Sequence, residues 1–77
     1  MQLCMPLGGG LFELRRQSKG RKLRVLFFYD DGFRIVCTNA FTKAEKTPQT
    51  ELALARVRRE QYLAAKFRQE LQILKEI

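Results

Sequence analysis

The chain changes character at Pro48. Before it, runs rich in Val, Leu, Ile, Phe and Tyr are separated by glycine-containing breaks. From Gln49 onward no Gly or Pro interrupts a stretch dense in Ala, Leu, Glu, Arg and Gln. β-branched and aromatic side chains suit a pleated, half-buried surface, whereas alanine and straight-chain residues lose little rotamer freedom in a helix. Seventy-seven residues leave room for one small domain. The expectation is an α+β fold: a small antiparallel sheet of three strands in a meander, then one long C-terminal helix. The strands are read as Leu11–Gln17, Lys22–Asp30 and Phe33–Thr38, the last running on toward Phe41. Residues 1–10, which end in three glycines, read as a flexible leader, 42–48 as a basic connection and 49–77 as the helix.

Turn chemistry extends this to a register. Asp31-Gly32 is a strong two-residue hairpin signal. Closing there sets Phe28 opposite Ile35, Leu26 opposite Cys37 and Arg24 opposite Asn39. Closing the earlier hairpin at Ser18–Arg21 sets Arg15 opposite Arg24, Leu14 opposite Val25 and Phe12 opposite Phe27. The face with Phe12, Leu14, Val25 and Phe27 is the more continuously apolar, so the helix is expected on it through Leu52, Ala55, Tyr62, Leu63, Phe67 and Leu71. Leu11, Leu26, Phe28, Phe33 and Ile35 then need a cover from a partner, a second copy or a further segment, and the isolated chain is not expected to behave as a simple monomer. Thr47 reads as the helix N-cap, with Pro48 at the first helical position and Glu51 suiting the positive end of the helix dipole.

Charge narrows the partners. Lys and Arg number 15 against 8 acidic residues, a formal charge of +7, and Arg15, Arg16, Lys19, Arg21, Lys22 and Arg24 fall close together. Such a field favours nucleic acid, the ribosome, an acidic protein or an anionic surface. No run approaches the ~18 apolar residues of a membrane span, and residues 1–10 lack a secretion signal. The two cysteines, Cys4 and Cys37, are expected to be reduced in a cytoplasmic protein, Cys37 as a small buried hydrophobe.

Four cations could work together. Arg15 and Arg24, opposed across two strands, repel unless an anion lies between them. Glu13 could supply that anion from within the chain, or a phosphate could supply it from outside. Lys43 and Lys46 leave the same end of the sheet and could complete a basic pocket that binds RNA backbone or stabilises charge on non-bridging phosphate oxygens. The chain has no histidine, so proton transfer in any reaction falls to Glu, Lys, Tyr or the substrate. Tyr62 is the tyrosine candidate, against a plain role in the core. No Cys or His cluster has metal-ligand spacing, and the three glycines precede a strand where a phosphate loop would open a helix. No cofactor is expected.

Taken together, Gly10-Leu11-Phe12-Glu13-Leu14-Arg15, Leu23-Arg24-Val25-Leu26-Phe27-Phe28, Ile35-Val36 and Phe41-Thr42-Lys43-Ala44-Glu45-Lys46-Thr47-Pro48 resemble the RelE/ParE toxin superfamily. The nearest branch is the HigB-like, phage-derived one, and Glu51, Ala55, Arg59 and Tyr62 match its spaced helix residues. The resemblance implies a toxin of a toxin–antitoxin system that cleaves mRNA at the ribosome without a metal. It also implies a cognate antitoxin. Arg15, Arg24, Lys43, Lys46 and Tyr62 inherit candidate catalytic roles. Ala44 departs from the branch, standing where a second lysine is usual. The family's opening strand and two helices have no counterpart in residues 1–9, so a truncated form is expected. Two other readings stay open: a non-catalytic remnant that binds antitoxin or RNA, and a helix-mediated assembly protein, a homo-oligomer using Phe67, Leu71, Leu74 and Ile77 as a seam.

Overall fold

The computed structural model describes residues 3–42 and 46–76. It is α+β, with four antiparallel strands in sequential order where three were expected: β1 (Cys4–Gly8), β2 (Leu11–Ser18), β3 (Arg21–Asp30) and β4 (Arg34–Thr42). One helix, α1 (Gln49–Glu76), follows.

The additional strand lies in the stretch read as a leader. Cys4 pairs with Leu14, Met5 with Glu13 and Pro6 with Phe12, and the Arg15 amide donates to the Leu3 carbonyl at 2.6 Å. Two features explain why it forms. Met5 and Leu7 are half-buried in alternation with exposed neighbours, which is the period of a strand with one covered face. Pro6, unable to donate to a ladder, sits on an edge strand, where that is tolerated. Gly9 and Gly10 make the turn after Gly8 ends β1, all three at positive φ. At Gly9 a Cβ would come within 2.7 Å of Arg56 Nη1, and at Gly10 within 3.0 Å of Arg59 Nη2. The glycines therefore both make the turn and admit two helix arginines against it.

The β2–β3 register is as expected, with Arg15 opposite Arg24, Leu14 opposite Val25 and Phe12 opposite Phe27. The β3–β4 register is not. Asp30 pairs with Arg34, so Phe33 joins Asp31 and Gly32 in a three-residue turn and stands 97% exposed. Tyr29 then faces Ile35, Phe28 faces Val36 and Phe27 faces Cys37. A bulge between Leu26 and Phe27 leaves Thr38 over, after which Leu26 faces Asn39 and Arg24 faces Phe41. The Thr38 hydroxyl donates to the Leu26 carbonyl at 3.1 Å across the bulge.

The helix covers the opposite face from the expected one. Its core is Leu11, Leu26, Phe28 and Ala55, with Leu7, Val36, Phe41, Leu52, Tyr62 and Leu63 packed around it. Burying a side chain such as Phe28 contributes about 1.5–3 kcal/mol, but both faces offer apolar area. The polar groups decide between them. Glu13 and Asp30 lie on the covered face, and only there do residues of α1 and the segment before it reach them. Asn39 Nδ2 donates to the Glu51 carbonyl at 3.1 Å and Arg58 Nη1 to the Thr38 carbonyl at 2.7 Å, tying α1 to β4. Arg59 lies over the Phe28 ring, 5.6 Å from its centre.

On the other face Phe27 is buried by its own neighbours, Phe12 at 5.6 Å and Tyr29 at 5.7 Å between ring centres. Leu14, Tyr29 and Ile35 remain exposed there. Cys37 is exposed too, a correction to its expected burial, and Cys4 and Cys37 are free thiols. Phe67 and Leu71, expected against the sheet, project past it. No helix is long and apolar enough to cross a membrane among the described residues.

Candidate phosphate-binding groove

Glu13 organises the candidate site. It sits mid-strand in β2 on the helix-covered face and is 1% exposed. A carboxylate buried this deeply is tolerated only when its oxygens are filled and its charge is matched. Arg15 Nε donates to Oε1 at 2.7 Å, Arg24 Nε lies 3.4 Å from the same oxygen, and the Thr47 hydroxyl donates to Oε2. Burial pushes the Glu13 carboxyl up. The hydrogen bonds from Thr47 and Arg15, with the charges of Arg15 and Arg24, outweigh it and hold the group below its ordinary value of 4.5.

The register explains why the arginines converge. Arg15 and Arg24 are direct cross-strand partners, and Glu13 is two residues from Arg15 on the same face. Glu13 is thus the internal anion between them that the sequence allowed. It accepts from Arg15 Nε and pairs by charge with the Nε side of Arg24. A guanidinium carries five N–H donors, so each arginine keeps donors beyond those Glu13 takes. One of them, Arg24 Nη1, reaches the Leu23 carbonyl at 3.0 Å.

Beside this pair opens a groove of about 410 Å³ lined by Leu3, Arg15, Arg16, Gln17, Lys22 and Arg24. Arg21 and Lys22 extend the basic rim toward Thr42. Four cations on the groove walls against one buried carboxylate leave a net positive hollow, with planar donors suited to a phosphate.

The connection into α1 reaches the same place. The first helical bond runs from the Leu52 amide to the Pro48 carbonyl at 3.0 Å, so Pro48 holds the capping position. Thr47, expected as the N-cap, instead spends its hydroxyl on Glu13. Its neighbour Lys46 is exposed. Lys43 lies outside the described residues.

Tyr62 is elsewhere. Its hydroxyl donates to Asp30 Oδ2 at 2.7 Å, and its ring packs edge-on against Phe28 at 5.5 Å. Asp30 lies six residues along β3 from Arg24, about 20 Å at strand rise. Lys66 Nζ donates to Asp30 at 2.6 Å and to Asp31 at 2.9 Å. The bond from Lys66 first, then that from Tyr62, holds the Asp30 carboxyl below its ordinary value of 3.8, and Lys66 is held above the usual lysine range. The fold therefore brings Arg15 and Arg24 together, leaves Lys46 exposed next to Thr47, whose hydroxyl reaches Glu13, and keeps Tyr62 at the far end of the sheet.

In the sequence Glu13 is only one alternative for the anion between the arginines, and neither Thr47 as its partner nor the separate Asp30 network is legible there. The signal for Glu13 was its place between two apolar residues on a strand, two positions before an arginine. Nothing in local spacing foretells the pairing of Asp30 with Tyr62 and Lys66, more than thirty residues away.

No curated protein and no solved structure matches the chain. The family model described as Phage derived protein Gp49-like (DUF891) matches residues 1–60, which hold all four strands, the basic groove and the first part of α1. By that match the chain belongs to the phage-derived Gp49-like family.

Proposed function

We propose that this chain is the toxin of a toxin–antitoxin pair and acts as a metal-independent endoribonuclease on mRNA at the ribosome. The Gp49-like family is one of the RelE/HigB-like toxin families, which supports the toxin reading. The observation that carries the chemical reading is the opposed pair Arg15 and Arg24, held by one buried carboxylate beside a cation-lined groove.

In this reading the RNA 2′-oxygen attacks the adjacent phosphorus and the bond to the 5′-oxygen breaks. A proton leaves the 2′-hydroxyl and one arrives on the departing 5′-oxygen. Negative charge grows on the non-bridging oxygens as phosphorus becomes five-coordinate. Arg15 and Arg24, preorientated by Glu13, would donate to those oxygens, which is where fixed cations lower a barrier most. Lys46 is the described side chain on the connection that could serve the proton or a flanking phosphate. The groove lining holds neither histidine nor cysteine, so proton transfer falls to lysine, the RNA or the ribosome. A cognate antitoxin and a cytoplasmic site of action belong to the same proposal.

The same lack of a neutral-pH base favours a second reading, in which the groove binds RNA backbone without cutting it. Ribosome-programmed mRNA cleavage mapped by primer extension separates the two. The cleavage reading expects Arg24→Ala to lower kcat about a hundredfold with little change in KM, as for loss of one preorganised transition-state donor. Lys22→Ala on the rim should weaken binding slightly and leave kcat alone. Equal effects of the two substitutions would contradict the mechanism, and absence of cleavage by the unsubstituted chain would favour binding alone.

A further inference from the structure

The C-terminal half of α1 carries an apolar stripe that the sheet does not use. Leu52, Ala55, Tyr62 and Leu63 turn toward the sheet. At 100° per residue, Phe67, Leu71 and Leu74 point about 100° round the helix from that direction. They are 60%, 43% and 68% exposed. Their spacing of four and then three continues one step back to Ala64, giving Ala64 and Leu71 at a and Phe67 and Leu74 at d of a heptad; Glu60, at the preceding d position, ends the stripe. A stripe of this period is self-complementary on a helix that folding has already fixed, so the cost of forming the helix does not fall on association. The part that carries Phe67, Leu71 and Leu74 lies past residue 60, beyond the stretch that the family model matches.

We infer that two copies of this chain dimerise through a short parallel coiled coil formed by the ends of their α1 helices. Charge selects both the partner and the direction. Glu70 falls at g and Lys75 at e, five residues on, which is the spacing at which a parallel pair joins opposite charges across the seam, once on each side. Antiparallel pairing sets e against e and g against g. It would oppose Arg68 and Lys75, and bring Glu70 to its own copy.

The geometry of the body permits this arrangement. The start of α1 is joined to the Glu13 end of the sheet through Thr47, and Tyr62 and Lys66 hold it at the Asp30 end. The seam therefore lies beyond the Asp30 end. A twofold axis along it sends the two sheets to opposite sides, because each body leaves its helix at about a right angle to the stripe. Both basic grooves stay open at the outer ends.

The seam is short, so the dimer dissociates on dilution. Sedimentation equilibrium from about 5 μM to about 500 μM, a span matching weak association, should show monomer passing to dimer and nothing larger. Leu71→Glu with Leu74→Glu should give monomer throughout; both residues are exposed and remote from the core. Glu70→Lys or Lys75→Glu alone should weaken the dimer about tenfold, replacing two attractions with two repulsions. Glu70→Lys with Lys75→Glu should restore it. Ile35→Ser, on the open sheet face, should change nothing. A wild-type monomer at every concentration would overturn the inference, as would a dimer that survives the double leucine substitution or that Ile35→Ser abolishes. Failure of the charge swap to restore association would overturn the parallel arrangement.

Discussion

At one end of the sheet Glu13 is shared by two arginines and a threonine; at the other, Asp30 is held by one tyrosine and one lysine. Each carboxylate joins the sheet to the helix or to the segment leading into it. Each is buried and held below its ordinary pKa. The difference is stoichiometry. Around Asp30, Lys66 meets two aspartates, so its charge is spent inside the network. Around Glu13, two arginines meet one carboxylate, with Arg16 and Lys22 added on the groove wall. The Asp30 network, with two carboxylates on one lysine, is a clamp with no cation to spare. The Glu13 network is a clamp with cations left over, and those face outward into the groove.

The comparison breaks most readily at Glu13. Glu13→Ala should destabilise the fold by about 2–4 kcal/mol, because it leaves two part-buried guanidiniums with no counter-ion and frees Thr47. Chemical denaturation of the two proteins measures it. Arg24→Ala should cost less stability than Glu13→Ala, since Arg15 still matches the carboxylate. A larger loss at Arg24 would mean that the arginine, and not the carboxylate, organises this end.

Acid acts on both ends in the same direction. A carboxyl whose pKa is lower folded than unfolded contributes stability above its unfolded value and loses it as pH falls through the folded one. Glu13 starts from 4.5 and Asp30 from 3.8, and both are lowered. Stability should therefore be flat near neutrality and fall below about pH 4. Glu13→Gln should be less stable at neutral pH and show a shallower acid limb. An unchanged limb would place the acid-sensitive group elsewhere.

These contrasts also show what the sequence could and could not disclose. The β2–β3 pairing was legible because the turn at Lys19-Gly20 fixes it; both residues take positive φ, so Arg15 meets Arg24 as expected. The β3–β4 pairing was not, because Asp31-Gly32 is compatible with either a two- or a three-residue turn, and one added residue, Phe33, reverses which side chains share a face. β1 was hidden by composition. Proline and three glycines read as leader, although Met5 and Leu7 alternate with exposed neighbours. The helix face was misjudged because apolar content alone was weighed. What selects the face is where two carboxylates find donors, and those donors lie far away in sequence.

A smaller effect sharpens the link between the groove and the helix. Thr47→Val keeps the shape of the side chain and removes one donor from a buried carboxylate, which should cost about 1–2 kcal/mol. It should also loosen the segment that bears Lys46. Hydrogen exchange at the first turn of α1 should rise with it, while exchange near Tyr62 stays unchanged. Equal increases at both ends would show that the two clamps are not separate.

The central claim is that anion binding belongs to the Glu13 end alone, and the salt dependence of RNA affinity tests it most directly. Binding of a single-stranded RNA should weaken with salt at a log–log slope of about −0.7 for each phosphate neutralised. Removing both groove arginines, as Arg15→Ala with Arg24→Ala, should make that slope shallower by about 1.4, corresponding to two lost phosphate contacts. Lys66→Gln at the Asp30 end should leave the slope as it was. A slope that Lys66→Gln changes and the arginine pair does not, or that neither changes, would contradict the account.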